Sequence, residues 1–263
     1  MNKDLVIGLG EIGKPILKVL SKSFPTTGFD LNPKLMNKND YNRMRDYKTI
    51  IAHICIPYSN KFKAQVLNII NSHKPEIIVI HSTVSIGTTE KIQKKTKTPI
   101  IYSATRGIHK RMLNDLKRYT KFFSIEKSLS KSSWAARTYV RRLHKAGIKT
   151  KSMSSTKTLE LAKIICDTSY YGWLINYAQL SNMIAVEHRV NFDEMWSFSD
   201  EIHKYLGNRP KMYPGFIGGH CVIPNLDLIH NKTLDLIKQI NQTYSKKIKN
   251  AKKTSKKHQT IKS

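Results

Sequence analysis

The stretch Asp4–Leu20, DLVIGLGEIGKPILKVL, decides the fold. Asp4 to Gly10 reads as a buried strand that runs straight into a glycine turn, and the residues from Glu11 onward read as a helix. Gly8, Gly10 and Gly13 stand at the G-x-G-x-x-G spacing, with a strand before and a helix after. The three glycines do different things. Gly8 makes the tight turn, Gly10 lets backbone approach a pyrophosphate, and Gly13 lets the helix close on the strand. The new helix then offers its N-terminus, with Glu11, Ile12 and Gly13, to phosphate charge. A second strand, Thr26 to Phe29, ends at Asp30, twenty residues past Gly10. An acid there can hold both ribose hydroxyls of an adenosine and repel a 2′-phosphate, which points to NAD as the cofactor. The plainer alternative is a structural glycine turn of any α/β protein.

Beyond Asp30 the pattern repeats. Thr49–Pro57, Glu76–His81, Pro99–Ser103, Thr120–Ile125 and Ile148–Met153 read as strands. Helical runs over Ser59–Ser72 and Ser132–Ala146 stand between them, and a third follows the Ser82–Thr89 turn. The hydroxyls of Ser82, Thr83, Thr88 and Thr89, at a strand end, could touch ligand, though capping of that helix is the expectation. Such alternation predicts a Rossmann-like, doubly wound, mostly parallel sheet over residues 1–154. From Ser155 the texture changes. One helix of roughly thirty residues is expected, apolar nearly all round and therefore buried, interrupted only by Gly172. It opens a helical central domain over residues 155–242. The last twenty residues carry eight lysines and no acid, and residues 243–263 are expected to form a disordered basic tail.

Composition narrows the setting. The chain has 263 residues, 46 Lys+Arg against 18 Asp+Glu, and a formal net charge of +28. That balance suits anionic partners, and the tail could add weak, salt-sensitive polyanion binding. Cys55, Cys166 and Cys221 are widely spaced, so they imply neither a disulfide framework nor a metal site. Cys55, inside an apolar run, reads as core. No apolar run is long enough to cross a membrane, and a reducing, cytoplasmic setting is expected.

The remaining punctuation is Tyr213–Asn225, YPGFIGGHCVIPN. Glycines and prolines around one cysteine could fix a reactive thiol, or could form an ordinary loop with a buried cysteine.

Together these motifs resemble the UDP-glucose/GDP-mannose dehydrogenase family. GLGEIG with FDLNP is similar to its cofactor fingerprint, and HSTVSIGTTEKI to its S-T-V-x-x-G-T turn. LELAKIICD is similar to its A-E-x-x-K-x-x-x-N helix, and GGHCVIPN to its G-G-H-C-I-P motif. The resemblance implies an NAD-dependent oxidation of a nucleotide-sugar alcohol. Cys221 would be the nucleophile, Lys163 the catalytic lysine, and Thr83 and Asp167 active-site residues. Gly218, Gly219, His220 and Asn225 would meet substrate, and a homodimer would form through the long helix. Departures accompany the match. Asp167 stands for the family's asparagine, Asn225 for its aspartate, and Thr105 and Arg106 for a glutamate used around thioester hydrolysis. The family's third domain is also missing, so the resemblance is to a truncated member. Three other readings stay open: a catalytically impaired NAD-binding relative acting as a partner or regulatory protein, a 6-phosphogluconate/β-hydroxyacid-type dehydrogenase, and a nucleic-acid-binding protein.

Overall fold

The strands are β1 (Asn2–Ile7), β2 (Thr26–Phe29), β3 (Lys48–Ile54), β4 (Ile77–Ile80), β5 (Ile100–Tyr102), β6 (Lys121–Ile125) and β7 (Thr150–Ser152). The computed structural model describes residues 1–206, 214–218, 221–228 and 232–260. One seven-stranded sheet runs β2-β1-β3-β4-β5-β6-β7. All neighbours pair parallel except β5 and β6, where Tyr102 faces Ser124 in antiparallel register. The expected doubly wound, mostly parallel sheet is therefore present.

Both faces of the sheet are covered, which is why its strands read as unbroken apolar runs rather than alternating ones. In β4, Ile77 and Val79 enter one core while Ile78 and Ile80 enter the other. The first core receives α1 (Gly13–Leu20), α5 (Met112–Arg118) and α6 (Ser132–Lys145). The second receives α3 (Phe62–His73) and α4 (Thr88–Gln93), while the short α2 (Lys38–Arg43) follows β2. Arg142 of α6 reaches the fully buried Asp4 of β1, with Nε 3.2 Å from the carboxylate. Burial pushes the Asp4 carboxyl up to about 6, against the opposing pull of Arg142.

The helical run after β7 begins at Thr156 rather than as one uniform helix. It comprises α7 (Thr156–Ala162), a π-helical turn over Lys163–Ser169, and α8 (Tyr170–Glu187). Ser155 caps it as its Ser/Thr start suggests, accepting from the Thr158 N–H. The chain divides into compact units at Lys163/Ile164, so α7 belongs with the sheet and the expected boundary at 154/155 shifts into the helix.

Glu160 of α7 explains that shift. Its fully buried carboxylate accepts from the Gly87 N–H at 2.5 Å, the Thr89 N–H at 2.9 Å and the Thr89 hydroxyl at 2.7 Å. Thus α4 is not capped by its own threonines. A side chain more than seventy positions away satisfies its orphan amides. Sequence spacing signals only local caps, so this one was not visible.

The second unit holds α8, α9 (Phe192–Leu206), α10 (Val222–Leu226) and α11 (Lys232–Thr260). Its small core joins Ile217, Val222, Leu226 and Ile237. Gly172 permits this packing: a β-carbon there would lie 3.0 Å from Val222 and 3.3 Å from Ile237. Two expectations change. The long helix is not buried all round, since Tyr170, Tyr177, Leu180 and Ile184 lie exposed along it. An apolar pattern shows that a helix seeks cover, not whether its own chain supplies it. The basic tail does not start as disorder, because α11 runs through it to Thr260 and buries Asn241 and Tyr244 on the same helix.

Substituting Glu160→Ala would leave the Gly87 and Thr89 amides unpaired in a dry site. It should cost about 2–4 kcal/mol in urea unfolding. Hydrogen exchange of those two amides should accelerate. Unchanged protection at Gly87 and Thr89 would show that the cap is not made in solution.

Candidate active site

The glycine turn at the end of β1 has the geometry a dinucleotide needs. Gly8 has φ +88°, a backbone conformation that favours glycine, and a β-carbon there would lie 2.8 Å from the Cys55 carbonyl oxygen. At Gly13 a β-carbon would fall 1.7 Å from the Gly8 carbonyl oxygen, so helix and strand are in contact. Gly10 is the opposite case: nothing lies within 4 Å of where its β-carbon would be. That open space, over the start of α1, fits a pyrophosphate approaching bare backbone. The Asp30 carboxylate accepts from the Leu9 N–H at 2.6 Å and from the Asn32 N–H at 2.8 Å. Each of its oxygens keeps a further lone pair for a ribose hydroxyl. These residues fit the cofactor. Ile12 packs its side chain on the core and so offers only its backbone. Exposed Glu11 pairs with His109 at 2.6 Å.

The Ser82–Gly87 turn lies at the carboxyl end of β4, on the same edge of the sheet. Ser82 donates to the Ile56 carbonyl at 2.5 Å, Tyr58 and Ser85 share a 2.5 Å hydrogen bond, and Glu160 holds Gly87 and Thr89. Thr83 is half-buried within this frame, and its hydroxyl has no hydrogen-bond partner among the described residues. Lys163 follows one helical turn after Glu160, at the start of the π-helical segment, and Asp167 lies four residues on within it. Single π turns inside α-helices recur at functional sites. Both side chains are half-buried.

Beneath this edge runs a buried polar chain that no motif announced. The His53 and His81 rings stack and share a 2.9 Å hydrogen bond. His81 Nδ1 lies 3.1 Å from the Ser103 carbonyl oxygen, and Tyr139 donates to the Ser103 hydroxyl at 2.9 Å. Burial holds His53 down to about 3 and His81 well below its ordinary value, so both rings are neutral. Lys121, 6% exposed, donates to the Ser103 and Ala104 carbonyls at 2.9 and 3.1 Å and to the Thr105 hydroxyl at 2.8 Å. Burial lowers its ammonium to about 7; Cys55 opposes this, and the positive charges of Lys163 and Arg106 add to it. Burial likewise raises the Cys55 thiol to about 12, as befits a core cysteine.

In the second unit Cys221 is exposed and immediately precedes α10. Its carbonyl accepts from the Asn225 N–H at 3.3 Å. The described part of the preceding loop is fixed by polar side chains of α8 and α11. Gln179 donates to the Gly215 carbonyl at 2.6 Å and to Asn241 at 3.1 Å, and Asn176 donates to Gln179 at 2.7 Å. Asn241 closes a two-way pair with the Ile217 backbone at 2.8 and 3.0 Å, and Tyr244 donates to the Pro214 carbonyl at 3.1 Å. Asparagine and glutamine inside an apolar helix were the available signal for this frame. Gly218 is described as loop, while Tyr213, Gly219 and His220 lie outside the described residues.

No protein-family model matches the sequence, and no curated protein sequence matches it. Solved structures do. UDP-D-ManNAc dehydrogenase from Pyrococcus horikoshii aligns over 93% of this chain and 69% of its own, with TM-score 0.75 and 17% identity. The UDP-N-acetyl-mannosamine dehydrogenase of Staphylococcus aureus aligns over 96% and 70%, with TM-score 0.70 and 17% identity. The 3-hydroxyisobutyrate dehydrogenase of Mycobacterium tuberculosis aligns over 94% and 93%, with TM-score 0.65 and 15% identity. At these identities the likeness is one of fold: a Rossmann-like sheet followed by a helical unit.

The Lys121 shift makes stability depend on pH. The unfolded chain binds a proton that the folded chain releases between about pH 7 and the ordinary lysine value, so stability should rise with pH across that window. Urea midpoints at pH 7 and pH 9.5 should show the rise in the wild type and its flattening in Lys121→Met.

Proposed function

We propose that this protein is an NAD-dependent oxidoreductase acting on an alcohol. The observation that carries the reading is the turn after β1, with Gly13 closed onto Gly8, open space at Gly10 and Asp30 at the end of β2. When bound, NAD supplies a hydride acceptor. The α1 N-terminus and the bare Gly10 backbone would hold the pyrophosphate, and Asp30 the adenosine ribose. The Thr83 hydroxyl and Lys163 would bind and polarise the alcohol oxygen, the lysine charge favouring the alkoxide.

The finer reading makes the substrate a nucleotide sugar and Cys221 the nucleophile. The thiolate would add to the first-formed aldehyde as a thiohemiacetal, and a second oxidation would leave a thioester for water to cleave. Asp167, Asn225 and the Gly218–His220 segment would complete that site. Support comes from the four motifs and from the nucleotide-sugar dehydrogenases among the structural relatives. A second reading, one oxidation of an alcohol to a carbonyl, is favoured by the turn after β5, where Thr105 and Arg106 bring no carboxylate. A catalytically impaired NAD-binding partner protein is the third outcome the test separates.

Gly10→Ala is the decisive variant because it separates binding from folding. With nothing near its β-carbon, the change should leave the unfolding midpoint in place and weaken NADH binding at least tenfold, read by fluorescence titration. Equal affinity for NADH in the variant would sink the cofactor site. Turnover should then be followed at the NADH absorbance band with UDP- and GDP-sugars and simple hydroxy acids. Loss of activity in Lys163→Ala is expected under both catalytic readings, and loss in Cys221→Ser under the thioester reading alone. Binding of NADH without turnover would leave the partner-protein reading.

The same proposal includes a homodimer through the long helix. Tyr170, Tyr177, Leu180 and Ile184 form an exposed apolar stripe on α8, Tyr177 being 62% exposed. Light scattering behind a sizing column should give twice the 30.3 kDa chain mass, and Tyr177→Lys with Ile184→Lys should return the monomer.

A further inference from the structure

The turn that follows β5 carries a cation where the resemblance places a carboxylate. Ser103–Arg106 lies just beyond the carboxyl end of β5, and open α/β sheets receive ligands outside the carboxyl ends of their strands. The turn is built rather than loose. Lys121 spends all three ammonium donors on Ser103, Ala104 and Thr105, and the Thr105 N–H donates to the His81 carbonyl at 3.2 Å. On the far side Gly107, at φ +140°, leaves no room for a β-carbon, which would lie 2.8 Å from the Asp115 side chain. Asp115 accepts from the Ile108 N–H at 2.9 Å and from Arg111 Nε at 3.1 Å.

Arg106 is held inside this frame. Its Nη2 donates to the Thr120 carbonyl at 2.8 Å, and its guanidinium sits 5.0 Å from the Phe122 ring centre. A guanidinium has five N–H donors, and this is its one hydrogen bond among the described residues. It forms no ion pair among them either, and Asp115 of α5 is committed to Arg111 and Ile108. The Lys121 ammonium stands within electrostatic reach of Arg106. A half-buried, oriented guanidinium with no acid partner among the described residues is a good anion receptor.

We propose that Arg106 is a substrate-binding residue that takes a carboxylate or phosphate carried on the reacting alcohol itself. This rests on the oxidoreductase reading and narrows its substrate class. Lys121 acts as a positioning residue, fixing the turn that aims Arg106.

The test pairs turnover with binding. Alcohols would be offered with NAD as matched pairs: hydroxy acids against their amides, and phosphorylated polyols against the unphosphorylated compounds. The acidic member should be oxidised with a KM at least tenfold below that of its neutral partner. Arg106→Leu should erase that difference by raising KM for the acidic member. Whichever pair shows the effect, carboxylate or phosphate, names the anion. Neutral members turned over as well as acidic ones, or an unaltered KM in Arg106→Leu, overturns the proposal. A second arm does not need turnover. Calorimetric titration of NADH-loaded protein with malonate and with inorganic phosphate, at fixed ionic strength, should give an affinity that falls at least tenfold in Arg106→Leu. Equal affinity in wild type and variant overturns the proposal even if no alcohol is found. Binding of NADH and malonate with no oxidation of any alcohol would overturn the oxidoreductase reading while keeping the anion site.

Discussion

The contact between Gly13 and the Gly8 carbonyl sets the geometry of everything at the site edge. A single β-carbon at Gly13 would fall 1.7 Å from that oxygen, so strand and helix can meet this closely only through glycine. The contact brings the α1 N-terminus down beside Cys55 at the end of β3 and turns the Leu9 N–H toward Asp30. It also leaves Gly10 at the crest, facing open space. Sterics at two residues thus leave open space at a third. Packing and ligand geometry are here one constraint seen from two sides.

A second constraint lies under the carboxyl ends of β3, β4 and β5, where polar groups replace the apolar core. His53, His81, Ser103, Tyr139 and Lys121 are all buried and linked by hydrogen bonds. Burying an ammonium is costly where no carboxylate among the described residues offsets it, which is why the Lys121 proton is held loosely. A folded chain retains such a group where it fixes something the rest of the structure needs. Here it fixes the main chain of Ser103–Thr105, the support of Arg106.

How much of this was legible in the sequence follows from the range of each interaction. The glycine spacing and Asp30 are local, and they marked the glycine turn after β1 directly. Strand and helix alternation followed from apolar runs broken by turn residues, and the sheet has those strands. Glu160 was visible only as one charge on a helical face; its partners Gly87 and Thr89 are far away in sequence, and no pattern near either end records the bond. The polar frame of the second unit spans α8, the loop and α11, so a reading that ended the ordered chain at residue 242 could not include Tyr244. The exposed stripe on α8 was misread as core for a related reason. Periodicity reports how much apolar surface a helix carries, while its burial is a property of everything packed around it.

The chemistry open to the site turns on the charge at one turn. A carboxylate after β5 could accept a proton from water and so drive the cleavage of a thioester. A guanidinium cannot, because it does not lose its own proton at any pH a folded protein meets. It can neutralise an anion, and it does so best when held rigid and kept from other acids, as Arg106 is by Thr120 and Phe122. A thioester route through Cys221 would therefore need its base from elsewhere, for which Asp167 of the helical motif is a candidate. A single oxidation needs no such base beyond the group that receives the alcohol proton. Within the proposed oxidoreductase reading, Arg106 in that turn thus favours a single hydride transfer over a thioester route, because it supplies no base.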